Sequence, residues 1–153
     1  MSERPRFTAG TRSLTSTLLH PVRTVWQMAN ARAAQEADLR DLNAGLPLMA
    51  TAFVKSNRRY RQGAFVFDLD ASEPVVWRKW RPFMPYGPPV ALRGPFELGG
   101  FGPAPAQYQS MLQTTIRDAS SVWEVMVTAA DTELVAAALA EAGKARAGDE
   151  SGA

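Results

Sequence analysis

The sequence predicts an α+β fold: a small antiparallel open barrel or sandwich, with an N-terminal helical arm and one C-terminal helix. Three observations carry this reading. Before residue 43, apolar residues recur at three- and four-residue spacings, the period of one helix face. After Tyr60 the chain alternates in short runs at roughly 8–12-residue spacing, with no helix between them. A single stripe of Leu, Val and Ala closes the chain.

Taken in order, residues 1–12 (MSERPRFTAGTR) lack apolar periodicity and read as a flexible N-terminus. Residues 13–57 read as the helical arm. Leu18, Val22, Val25, Trp26, Ala29 and Ala33 gather on one face of a helix from about Pro21 to Leu42. Asn43, Gly45 and Pro47 supply the stop, and Pro47 is placed to open a second short helix through LMATAFVKS. Residues 58–143 read as a β-rich domain with its C-terminal helix. AFVFDLD (64–70) is a strand, ASEP a turn and VVWRKW (75–80) a second strand. RPFMPYGPP (81–89) holds four of the eleven prolines and is an extended loop. VALRGPFELGGF gives one or two short strands interrupted at Gly94-Pro95. In YQSMLQTTIR, Tyr108, Leu112 and Ile116 share a face; VWEVMV (122–127) is a further strand. Thr128 with Asp131 reads as a capping-box variant, with Glu133 also suiting the helix dipole. Leu134, Val135, Ala138, Leu139 and Ala142 form the buried stripe, Gly143 ends the helix, and 144–153 is a flexible tail.

A chain of 153 residues is sized for one domain. Having no Cys, it excludes disulfides, zinc ribbons, iron–sulfur clusters and thiol nucleophiles; having one His, it excludes paired-His metal motifs. No metal and no cofactor are expected. The longest nearly apolar run, LPLMATAFV, is far shorter than the roughly 20 residues of a membrane span, and neither end resembles a secretory signal. The expected location is cytoplasmic, or peripheral to the membrane. The net charge of +2 hides an asymmetry: residues 1–93 balance to +7 and residues 94–153 to −5. That front-loaded charge directs attention to an anionic partner.

The strand VWEVMV leading into TAADTELVAAALAEAG resembles the closing strand and C-terminal helix of a pleckstrin-homology-like barrel. The cluster RRYRQGAFVFDLD, VVWRKWRP and VALRGPFELGG is similar to small actinobacterial barrel proteins of unknown function. The resemblance covers roughly residues 58–142. It implies a binding or scaffold module rather than a catalyst. In that family a membrane anchor precedes an arginine-bearing first strand and a tryptophan-bearing second; here an amphipathic segment stands where the anchor would be.

Four residue groups are candidates for function. Lys55, Arg58, Arg59 and Arg61 surround Tyr60 and, with Arg78, Lys79 and Arg81 across the next hairpin, are expected to form one cationic patch. Arginine forks and an aromatic plane suit phosphates of lipid head groups or nucleic acid. Val22 and Trp26 on the arm are expected at an interface, on the chain's own domain, another subunit or a membrane. Trp77 and Trp80 cannot both face one side of a strand, so one belongs to the core and the other covers a groove or the arm. FVFDLDASEP looks like the first motif of Mg²⁺-dependent phosphatases, with Asp68 as nucleophile and Asp70 as general acid. It lacks the Gly-Thr that follows the second Asp and any later paired-Asp motif. His20 precedes Pro21 in a capping or turn role, and no GxSxG accompanies it. GPFELGGFG lacks the phosphate-loop Lys. The function expected is a non-enzymatic binding or assembly module that engages a protein partner, a second copy or an anionic surface through the arm and the Arg-rich junction. A phosphatase centred on Asp68 and Asp70, or nucleic-acid binding through residues 55–61, is the alternative.

Overall fold

The computed structural model describes residues 4–11, 24–80 and 83–151. His20, Val22, Arg81 and the side chain of Trp26 lie outside the described residues, so the interface expected of Val22 and Trp26 is not placed. The fold is α+β and mostly antiparallel, with a C-terminal helix. Its elements are β1 (Arg6–Phe7), α1 (Thr24–Asn43), β2 (Leu48–Ser56), β3 (Arg59–Phe67), β4 (Val75–Lys79), β5 (Val90–Ala91), β6 (Glu97–Leu98), β7 (Gly102–Pro103), β8 (Met111–Arg117), β9 (Val122–Thr128) and α2 (Thr132–Ser151).

The sheet runs β5-β4-β3-β2-β9-β8-β6, with β1 beside β2 and β7 beside β8; the β1–β2 pairing is parallel and the other pairings are antiparallel. The register assigns every side chain to a face. Leu48, Ala50, Ala52 and Val54 of β2, Phe65 and Phe67 of β3, Val75 and Trp77 of β4, and Val125 and Val127 of β9 form an inner face. On it pack Leu134, Val135, Ala138, Leu139 and Ala142 of α2, together with Leu42 at the end of α1. The segment from Val90 to Leu98 pairs with β4 through β5 and with β8 through β6, so it joins the two edges of the sheet around the core. It contains the cis Gly94-Pro95 bond at the interruption the sequence marks. The architecture is that of an open, strapped sheet with helices covering one face.

Four expectations are corrected. LMATAFVKS is not a second short helix but strand β2, the centre of the sheet. Its two sides are both covered, so no polar alternation marks it as a strand. Residues 6–11 are not a loose start: β1 pairs with β2, and Thr8, Ala9 and Thr11 are buried. Asp131 does not cap α2; it is buried at the end of a 3₁₀ turn (Ala129–Asp131), and no side-chain bond from Thr128 caps that turn. Gly143 lies within α2, which continues to Ser151. The stop after α1 is as expected, with Gly45 at φ +81° and its N–H bonded to the Leu42 carbonyl.

Buried hydrogen bonds fasten the N-terminal segment. The Arg6 guanidinium lies 2.8 Å from Asp38 Oδ1 and also pairs with Asp41, so β1 is tied to α1. The Ala9 N–H donates to Asp38 Oδ2 at 2.8 Å, and the Thr8 hydroxyl donates to Asp131 Oδ2 at 2.9 Å. The Thr51 N–H donates to the Thr11 hydroxyl oxygen at 2.8 Å. Gly10 is required here, because a Cβ would lie 2.1 Å from Thr128 Oγ1. The arm thus docks its last turn on its own domain, through Leu42 and the Asp38–Arg6 pair.

Candidate anion-binding tip and outer trough

Strands β2 and β3 meet in a two-residue turn, Asn57-Arg58, in which both residues have positive φ (51° and 66°). Two positive values are what a type I′ hairpin needs, since its twist matches that of the strands. Asn tolerates this region; the next position most often holds Gly, because a Cβ there is strained by about 1–2 kcal/mol. This chain carries an exposed Arg at that strained position.

Arg81 lies outside the described residues, and the hairpin sorts the other six expected cations instead of pooling them. Arg59 and Arg61 alternate on β3 with Gly63, which pairs with Lys79; these three cations therefore share the inner side of the sheet, beyond the apolar rim. Arg58, at the tip, adjoins them. Among the described residues, no acidic group lies within ion-pair distance of Arg58, Arg59, Arg61 or Lys79. Lys55 faces the other way, 3.6 Å from Glu124 and over the Tyr60 ring. Tyr60 in turn meets Tyr108 edge-on, with ring centres 5.9 Å apart. Arg78 is also on the outer face, opposite Ala64, with its Nε–H donated to the Gly87 carbonyl at 3.1 Å and its carbon 5.5 Å from the Tyr86 ring centre. The single patch expected of residues 55–61 and 78–81 is thus divided by strand parity. The free cluster is Arg58, Arg59, Arg61 and Lys79.

The β4–β5 loop leaves the sheet at this same end: Trp80 N–H bonds to the Gln62 carbonyl, and the chain returns where the Gly87 N–H meets the Lys79 carbonyl. Phe83 is fully exposed and Met84 is exposed. Sequence patterning missed these two as surface residues, since a Pro-rich loop gives no face; the prolines around them were the available signal.

Trp77 is the core residue of its pair, and Trp80 lies on the outer face with its ring centre 5.5 Å from that of Phe7. Trp123 packs against the core. Asp68 and Asp70 sit in the turn after β3, where the Asp70 N–H bonds to Asp68 Oδ1 at 3.3 Å and the Ala71 N–H to the Asp68 carbonyl. This is an Asx-type turn, at the end of an antiparallel hairpin rather than at a strand–helix junction. Next to it, the outer face holds a trough of about 640 Å³ bordered by Asp68 and Arg78.

Comparison with protein-family models, with curated proteins and with solved structures gives no match. No helix among the described residues is long and apolar enough to cross a membrane.

Proposed function

We propose that this protein is a non-enzymatic binding module that docks on an anionic lipid surface through the β2–β3 tip, on the cytoplasmic side of a membrane. The observation that carries the reading is Arg58 in a left-handed position at an exposed turn, beside three more cations that no acid among the described residues neutralises. A residue held at a conformational cost, in a place where Gly would relieve it, is one selected for something other than folding. Phe83 and Met84 at the same end of the sheet supply apolar groups to enter the headgroup boundary, and the cations would meet the phosphates. We also read the open sheet as a pleckstrin-homology-like barrel, the form that the resemblance of residues 58–142 suggests. A surface of this kind is favoured over duplex nucleic acid because exposed apolar groups beside the cations add nothing to a phosphate-backbone contact but do add to partition into a bilayer.

Each cation near a negatively charged surface contributes about 1 kcal/mol, so R58A/R59A is expected to weaken flotation with phosphatidylserine vesicles by roughly 30-fold. Neutral phosphatidylcholine vesicles should retain little protein, and raising salt should release it. Equal flotation of the double variant and the parent sinks the proposal, as does tighter binding to duplex DNA than to vesicles.

Arg58→Gly separates the roles of this position. The variant is expected to stabilise the fold by about 1 kcal/mol, by removing Cβ strain, while binding vesicles more weakly. Urea unfolding and flotation on the same sample read the two effects, and they should have opposite signs.

A further inference from the structure

The trough of about 640 Å³ crosses the outer face of the sheet, opposite the helices. Its floor is a row that the register sets side by side: Met49 on β2, Val66 on β3 and Val76 on β4. Met49 is buried and the two valines are half-buried, so the floor is apolar but reachable. The volume falls in the range of small-molecule sites, about 300–1,000 Å³.

The polar wall is pre-set. Arg78 stands one row along from the floor, its Nε–H held by the Gly87 carbonyl and its guanidinium carbon 5.5 Å from the Tyr86 ring centre. Among the described residues no acceptor takes its two terminal nitrogens. A guanidinium anchored in this way has already lost the freedom that binding would otherwise remove, and its remaining fork matches a carboxylate. On the opposite wall Glu73 is neutralised by Arg93 at 2.7 Å. The charges left around the trough are Arg4, Arg78 and Asp68, an excess of one positive charge.

We propose that the trough binds a monoanionic amphiphile: an apolar body carrying one carboxylate. The carboxylate takes both terminal nitrogens of Arg78, and the body lies across Met49, Val66 and Val76. The excess single charge is what selects a monoanion over a neutral or cationic molecule of the same shape. This site is independent of the hairpin tip, which lies farther along the strands toward Asn57.

Titration calorimetry with decanoate below its micelle concentration tests the proposal, with decanol and decyltrimethylammonium as the neutral and cationic counterparts. One saturable site for decanoate is expected, with decanol weaker on the order of tenfold and no cation binding. Arg78→Gln should weaken decanoate on the order of tenfold. Because that variant also frees the Gly87 carbonyl and can loosen the loop, Val66→Asp is the second arm: it leaves the Arg78–Gly87 bond in place, sets a carboxylate on the floor diagonal to Arg78, and should abolish decanoate binding. R58A/R59A should bind decanoate as the parent does. The proposal is overturned by no decanoate binding, by equal affinity for decanol, by parent-like affinity in either trough variant, or by loss of decanoate in the tip variant.

Discussion

Trp77→Ala is expected to cost about 3–5 kcal/mol of folding stability, the largest single effect of any substitution considered for this chain. Trp77 sits on the inner face of β4, paired with Phe65, inside the cluster formed by β2, β3, β9 and α2. Its indole Nε1–H donates to the Ala52 carbonyl at 3.3 Å, so the side chain spans β3 to reach the central strand. What makes room for that span is Gly63. A Cβ at this position would lie 2.4 Å from the indole carbons Cε2 and Cζ2, and 2.5 Å from the Arg78 carbonyl oxygen. The indole could shift, but the carbonyl belongs to the strand and cannot. Gly63→Val is therefore expected to destabilise by about 1–3 kcal/mol through overpacking. Trp77→Phe keeps most of the apolar volume and should cost less than half of the Ala variant. Urea midpoints at constant slope give all three numbers. A Trp77→Ala loss below 1 kcal/mol would mean that the indole is not a core element.

That pair also marks how far sequence reasoning reaches. Parity alone separates Trp77 from Trp80, and the structure places one in the core and the other on the outer face against Phe7. Parity would equally separate Arg78 from Lys79 and Lys55 from Arg59, but only once the strands and the two-residue turn are known. Read as a helix end, residues 48–56 hide the turn, and the cations merge into one patch. The misreading has a physical origin: Leu48, Ala50 and Ala52 are buried on one side of β2, and Met49 and Thr51 on the other. A strand covered on both faces has no hydropathy alternation to detect. Residues 6–11 escaped for the opposite reason. What buries Thr8, Ala9 and Thr11 is hydrogen bonding to Asp38, Asp131 and Thr51, and polar satisfaction leaves no trace in apolar periodicity. The C-terminal stripe was legible because all its partners lie on one side of α2. The trough was not, since its floor comes from three strands.

Lowering the pH from 7 to 5 is expected to stabilise this protein, against the usual direction for carboxylates, and the carboxylate responsible is Asp131. Burial pushes its pKa up from 3.8 to about 6, the more so because the Asp38 charge lies near; hydrogen bonds from the Thr8 hydroxyl and the Gly10 N–H pull it back only in part. Between about pH 4 and 6 the folded chain holds a proton that the unfolded chain has released. Folding therefore gains stability as the pH falls through 6 and loses it as the pH rises, until both states are ionised above about 6. A shift of roughly two units bounds the gain at about 3 kcal/mol, most of it gathered by the time pH 4 is reached. Asp118 works the other way. Its burial raises the pKa, but the N–H groups of Ser120, Ser121 and Arg93 outweigh that and hold it below the usual value, so its contribution is lost only as the pH falls below 3.8. Among the described residues Asp131 is the carboxyl that burial raises into the window between 4 and 6. Asp131→Asn keeps an acceptor for Thr8 and Gly10 but cannot titrate. Its urea midpoint should be flat from pH 7 to 5 where the parent's rises, and at pH 7 the variant should match or exceed the parent. A parent midpoint that falls on acidification over this range would show that the buried carboxyl is not the group that governs it.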